Sequence, residues 1–392
     1  MATRGIEKSP PSSIGKCGFR GHIAELDCIR GVGIAVVLLN HLWPTDLFPV
    51  MFRVFQLGWI AMDAFFVLSG FLITGILVDT RSRPDYFRNY YARRSLRIFP
   101  LYYVTLLVAI VMLKLSHGVD YRSFTHDWGS PAWFFFYLGN LRMAYLGEYP
   151  PTMTFGVLWS LQIEEQFYLL FPLAVRYMRL DRLSRLLWCL VFVSPLFRVA
   201  VFVFNPGNRL AQNVLLPCHM EGLALGALIA IRFRNGPWEL SKAALTVVTI
   251  GLTVLACLGS VMSRPSLDPN LTSFNRVVGY SLSSWACACI VVWLIAFRGS
   301  RFTRLLRSAL IGYLATISYG VYLLHPLVIR FVRSWGRIGV DLPYRSFRHC
   351  VVVVGLSIIA ASVSWYGFER PIARLKDRLV PSRQPGLTDT AG

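Results

Sequence analysis

Apolar runs of about 20 residues, each long enough to cross the ~30 Å hydrocarbon layer of a bilayer, recur along the whole 392-residue chain. Backbone polar groups inside lipid must be satisfied within the protein, and continuous apolar runs of this length do so as helices. Runs at roughly 23–42, 57–78, 98–115, 157–176, 186–204, 214–231, 243–262, 277–297, 309–330 and 349–368 predict an all-α integral membrane protein, a bundle of about ten transmembrane helices. Charged residues make up only 15% of the chain, against about 25% in soluble domains, which excludes an ordinary soluble fold. Residues 1–20 are polar and lack the apolar core of a cleavable signal, so the first span is expected to serve as the targeting signal.

A net charge of +20 would suggest nucleic-acid binding in a soluble protein. Here the basic residues lie mainly between apolar runs, where the positive-inside rule accounts for them and no nucleic-acid partner is expected. With ten spans, 26 of the 40 lysines and arginines fall on the side shared by both termini and the even-numbered loops. That side is the cytoplasm by the rule, so both termini are predicted to be cytoplasmic. The segment 131–146 (PAWFFFYLGNLRMAYL) is apolar but short, and counting it as a span would move the later arginine clusters outside. It is therefore read as interfacial, with Trp128, Trp133 and Tyr137 as belt residues. The expected organisation is a polar tail at 1–20, a transmembrane domain at 21–375 and a second tail at 376–392, with no internal repeat. The eight cysteines show no metal-binding or disulfide spacing, and Cys189, Cys257, Cys287 and Cys289 are expected to be small buried apolar side chains.

Ionisable side chains inside such helices are expensive, about 3 kcal/mol or more at mid-bilayer, so each needs a reason. On the first span Asp27, Arg30 and His41 share one face at 100° per residue, with Arg30 and His41 about 16 Å apart. They read either as a polar path with His41 as a base or as an interfacial ion pair plus a snorkelling end residue. Asp63, on the second span, could orient the His41 imidazole or act as an interfacial cap. Glu164 and Glu165 are adjacent within LWSLQIEEQFYLLFP, about 100° apart, so one is expected to face a cavity and the other a neighbouring helix or Arg198. His219, Glu221 and His325 are further site candidates that equally suit packing roles. In the loop DYFRNYYARRSLRIFPLYY, closed by Pro100, Arg94 and Arg97 are three apart. They suit either a clamp on phosphate oxygens or plain positive-inside bias.

Several blocks together resemble the membrane-bound acyltransferase 3 family: IAELDCIRGVGIAVVLLNHLW with its Arg-x10-His spacing, AMDAFFVLSGFLITGIL, YYARRSLRIFPLYY, LWSLQIEEQFYLLFP, ISYGVYLLHPLV and FERPI. The resemblance covers residues 22–375 or so. It implies transfer of an acyl group, usually acetyl, from cytoplasmic acetyl-CoA or another acyl-CoA to a hydroxyl of a sugar or glycolipid acceptor. The setting implied is the bacterial inner membrane, with no metal. It implies His41 as the catalytic residue, with Glu164 or Glu165 serving the site and Arg30, Arg94 and Arg97 on the acyl-CoA side; Asp63 or one of the glutamates is expected to steady the His41 imidazolium. Arg198, His219, Glu221 and His325 would then belong to the acceptor side. His219-x-Glu221 departs from the family's Arg-x-Asp, which bears on acceptor specificity. With only about 24 residues after the last span, no appended esterase domain is expected, and the acyl group would pass directly to the acceptor or to another protein. The rival class is a proton-coupled transporter, whose helices also carry intramembrane Asp, Glu, His and Arg. The absence of duplicated halves argues against it.

Overall fold

The computed structural model describes residues 23–44, 56–115, 121–236, 240–262, 269–301, 303–339 and 342–379. The expected tail at 1–20 and most of that at 376–392 lie outside these residues. The described part is helical and contains no strand. Ten helices of 18 residues or more follow one another: α1 (Ala24–Leu42), α2 (Ile60–Thr80), α3 (Tyr86–Lys114), α4 (Trp159–Tyr177), α5 (Leu180–Phe204), α6 (Leu216–Arg234), α7 (Lys242–Met262), α8 (Pro269–Ala296), α9 (Ala309–Ser334) and α10 (Phe347–Ser364). Eight of the described helices are long and apolar enough to cross a membrane, as in a multi-pass membrane protein. Helices α1 and α4 are not among these eight. Each holds three charged residues within its length, Glu25, Asp27 and Arg30 on one and Glu164, Glu165 and Arg176 on the other.

Helices α2 and α6 pack backbone to backbone, through glycines. A Cβ at Gly70 would strike the Leu223 carbonyl, and one at Gly226 would strike the Val67 carbonyl. Without Cβ atoms at these two points the backbones approach closely, the usual basis of helix association in lipid. Beside this crossing α1 packs on α9, and α3 and α4 complete the walls of the site described below. At one end of the bundle the helix termini are tied by arginines. Arg81 donates to the Met178 carbonyl at 2.8 Å, Arg234 pairs with Asp79 at 2.7 Å, and Arg307 reaches Glu25 at 3.5 Å.

The expected loop carrying Arg94 and Arg97 is instead the first part of α3, which runs on through Pro100 to Lys114. Proline removes one helical hydrogen bond, a defect that packed membrane helices tolerate. Segment 131–146 forms two short helices, Ala132–Phe135 and Gly139–Leu146, too short to span. They are separated at Tyr137, whose φ of 57° is left-handed. Trp128 and Tyr137 are buried rather than placed as belt residues, and of the three only Trp133 is exposed. The reason is polar anchoring. The Tyr102 hydroxyl donates to the Phe134 carbonyl at 2.8 Å, Gln166 to the Tyr137 carbonyl at 2.9 Å, and the Asn140 amide to Gln162 at 2.6 Å. The described cysteines are free. Cys287 is buried, but Cys189 lies on an exposed helix face and Cys257 and Cys289 are half-buried, because an apolar run gives no phase for which face turns inward.

Candidate functional site

Arg30 on α1 and Arg94 and Arg97 on α3 line one cavity. Its wide outer part, about 550 Å³, opens at the arginine-tied end among Asp27, Arg93, Tyr319 and Glu369. An inner part of about 130 Å³ continues past the three arginines between α1, α2, α4 and α9, and Ser69 and Glu164 face it. Beyond them the walls turn apolar, with Ile34, Phe65, Phe66 and Leu161, and Met62, Ser160 and Tyr322 close the far end. The Tyr322 hydroxyl is held at 2.6 Å from both Ser160 Oγ and the Val157 carbonyl.

Glu164 and Glu165 both turn towards Arg94, although adjacent helical positions diverge by about 100°. Arg94 Nη2 lies 3.9 Å from Glu164 Oε2 and Arg94 Nε lies 3.7 Å from Glu165 Oε1, because the guanidinium sits between the two directions. Its flat face rests 3.7 Å from the Tyr168 ring centroid. Glu164 also accepts from Ser69 at 2.7 Å and from Tyr168 at 3.0 Å. Of the two glutamates only Glu164 lines the cavity. The expected partner Arg198 is elsewhere. It is buried against Glu221 at 2.6 Å, with the Cys218 carbonyl and Ser281 each at 2.6 Å. A buried ion pair of this kind persists because both charges are paired and hydrogen-bonded.

His41 does not line the cavity, which on α1 ends at Ile34. The polar stripe expected from Arg30 to His41 is interrupted by the buried Val37 and Leu38. Asp63 does not meet His41. It lies 3.6 Å from His219 Nδ1, and His219 Nε2 donates to the Asn213 carbonyl at 2.8 Å. The ring next to His41 is His325, with His41 Nδ1 and His325 Nε2 3.0 Å apart. His325 stands on α9 one turn beyond Tyr322, ring centroids 6.1 Å apart, so Tyr322 lies between the cavity and the histidine pair. The Tyr344 hydroxyl caps this end of α1 by donating to the His41 carbonyl at 3.1 Å.

The structure thus divides the sequence candidates into three groups: the cavity (Arg30, Arg94, Arg97, Glu164, with Glu165 behind), the histidine pair (His41, His325), and a separate buried network (Asp63, His219, Arg198, Glu221). Sequence reasoning missed Tyr168, Ser160 and Tyr322, whose phenol and hydroxyl groups look like ordinary belt or helix residues in a linear pattern. Their one signal is spacing: Ser160, Glu164 and Tyr168 recur every fourth residue along α4 and so share a face. Among the described residues no group of three or more His, Cys, Asp or Glu is assembled to hold a metal ion.

Comparison with known proteins adds a second line. The acyltransferase 3 family, described as an acyltransferase domain, matches residues 23–366. The peptidoglycan O-acetyltransferase OatA of Listeria monocytogenes is 24% identical over 376 residues, covering 91% of this chain and 56% of that protein. The O-acetyltransferase OatA of Staphylococcus aureus is 23% identical over 370 residues, covering 90% of this chain and 57% of that one. The chain therefore spans little more than half the length of these relatives. No solved structure matches it.

Proposed function

The chain belongs to the acyltransferase 3 family, and from that premise we propose that it is a membrane-embedded O-acyltransferase carrying acetyl from cytoplasmic acyl-CoA to a hydroxyl of an envelope glycan. The observation that carries this reading is the cavity, cationic at its mouth and apolar at its end, that stops one side chain short of the His41–His325 pair. In this proposal α1 and α4 also span, giving ten helices in the domain 21–375. The arginine-tied end and both termini face the cytoplasm, and the membrane is the bacterial inner membrane.

Arg97 and Arg30 receive the phosphates of acyl-CoA, since guanidinium forks match phosphate oxygens and are always charged. The long, mostly uncharged pantetheine arm follows the apolar part of the cavity, and Tyr322 swings aside to let the thioester reach His41. His41 accepts the proton of the acceptor hydroxyl as that oxygen bonds to the acyl carbon. The carbon–sulfur bond breaks, and the proton passes from His41 to the leaving CoA sulfur. Glu164 and Glu165 hold Arg94 so that the cavity wall keeps its shape. Mass spectrometry of glycans from cells lacking the gene tests the acceptor class. Base-labile acetyl esters should return with the wild-type chain and not with His41→Ala; glycans identical in all three strains would contradict the proposal.

A further inference from the structure

The two imidazoles at the far end of the cavity meet edge to edge. Their planes are only 12° apart while the centroids are 5.2 Å apart, too far for face-to-face stacking and about the separation of two rings meeting nitrogen to nitrogen. The 3.0 Å distance between His41 Nδ1 and His325 Nε2 is therefore an in-plane hydrogen bond. Its direction follows from the next contact. His325 Nδ1 lies 3.0 Å from the Val321 carbonyl oxygen, which can only accept, so Nδ1 of His325 carries a proton. His325 is fully buried, and a positively charged ring there would be desolvated with no carboxylate paired to it among the described residues. The ring is therefore neutral, its Nε2 holds a lone pair, and the proton between the two rings belongs to His41 Nδ1. A neutral His41 protonated at Nδ1 has its lone pair on Nε2.

From this chain of donors we infer that His325 is a positioning residue that fixes the tautomer of His41 and makes His41 Nε2 the nitrogen that takes the acceptor's proton. The inference rests on the proposed transferase reading for its chemical use but not for its geometry. The partner that orients a catalytic imidazole is often a carboxylate, which also stabilises the imidazolium. Here the partner is a neutral imidazole anchored to its own helix, so it supplies orientation and proton acceptance without a charge. It also couples the two walls of the site, since α1 carries His41 and α9 carries both His325 and Tyr322. A displacement of α9 that moves Tyr322 alters the hydrogen bond to His41 as well.

Nitrogen-15 NMR of the full chain in detergent micelles, labelled at histidine and assigned with His41→Ala, reads the tautomer without any acceptor. We expect His41 to be protonated at Nδ1 and bare at Nε2, and to lose that preference in His325→Leu. His325→Gln should keep it, because the glutamine side-chain oxygen can accept where Nε2 did. With acetyl-CoA as donor and peptidoglycan glycan strands as acceptor, kcat should fall on the order of a hundredfold in His325→Leu at unchanged KM for acetyl-CoA. His325→Gln should keep most of the wild-type rate. A wild-type His41 protonated at Nε2 would overturn the inference even if the leucine variant failed to fold. So would a folded leucine variant with tautomer and kcat unchanged. Acetyl transfer undiminished in His41→Ala would also overturn the catalytic use of Nε2, whereas the expected tautomer with no CoA release from acetyl-CoA by the wild-type chain would leave the pair standing and sink the transferase reading.

Discussion

Arg94 and Arg97 occupy neighbouring turns of one helix, yet their surroundings assign them different work. Arg94 lies against two glutamates and a tyrosine ring, whereas Arg97 is exposed to the cavity. Arg97→Ala should therefore weaken acetyl-CoA binding about tenfold by calorimetry, with melting unchanged. Arg94→Ala should instead leave two carboxylates without their cation, lowering stability by about 1–3 kcal/mol in a detergent melt. Equal effects of the two variants on binding would contradict this division. Spacing alone made both arginines visible in the sequence, as it did Arg30 and His41. It could not show that Asp63 pairs with His219, or that His325 is the partner of His41. Each helix reports the phase of its own polar face, but the neighbour that face meets is decided by packing between helices far apart in the chain.

At the scale of the element, the Gly70–Gly226 crossing decides which neighbours meet. It brings α2 against α6, and with them Asp63 to His219, while Ser69 on the same α2 turns to Glu164. Either glycine changed to valine would push a side chain into a backbone carbonyl, which cannot yield as a flexible side chain does. Overpacking of this kind costs about 1–3 kcal/mol or more. Gly226→Val should lower the melting temperature and acetyl transfer together, while valine at Gly251, where nothing lies within 4 Å, should change neither. An unaltered melt for Gly226→Val would show that the close crossing is dispensable. Hydropathy located all ten long helices with their ends within about four residues, except at the starts of α5, α8 and, by the most, α3, which lie earlier than expected. In α3 the arginine-rich turns before Pro100 are too polar to register as helix in an apolar scan. The glycine spacing of Gly222 and Gly226 was present in the sequence, but an apolar run hides it because glycine scores as neutral.

For the whole molecule, the proposal requires the arginine-tied end to face the donor. On a cysteine-free background, Tyr145→Cys should react with an impermeant thiol reagent from outside the cell, and Arg179→Cys only after the membrane is opened. Both positions are exposed, and reversed labelling would invert the topology. Charge counting predicts this orientation, and family blocks spread over the chain made the acyltransferase chemistry legible. The barrier at Tyr322 was not legible, because a closed cavity depends on three-dimensional contacts between α4 and α9 that no linear pattern records. The most direct test of the central claim is acetyl transfer by the purified full chain in liposomes, followed as CoA release from labelled acetyl-CoA when glycan acceptor is added. The account predicts acceptor-dependent release that falls by about two orders of magnitude or more in His41→Ala. Release that is unaffected by that substitution would contradict it.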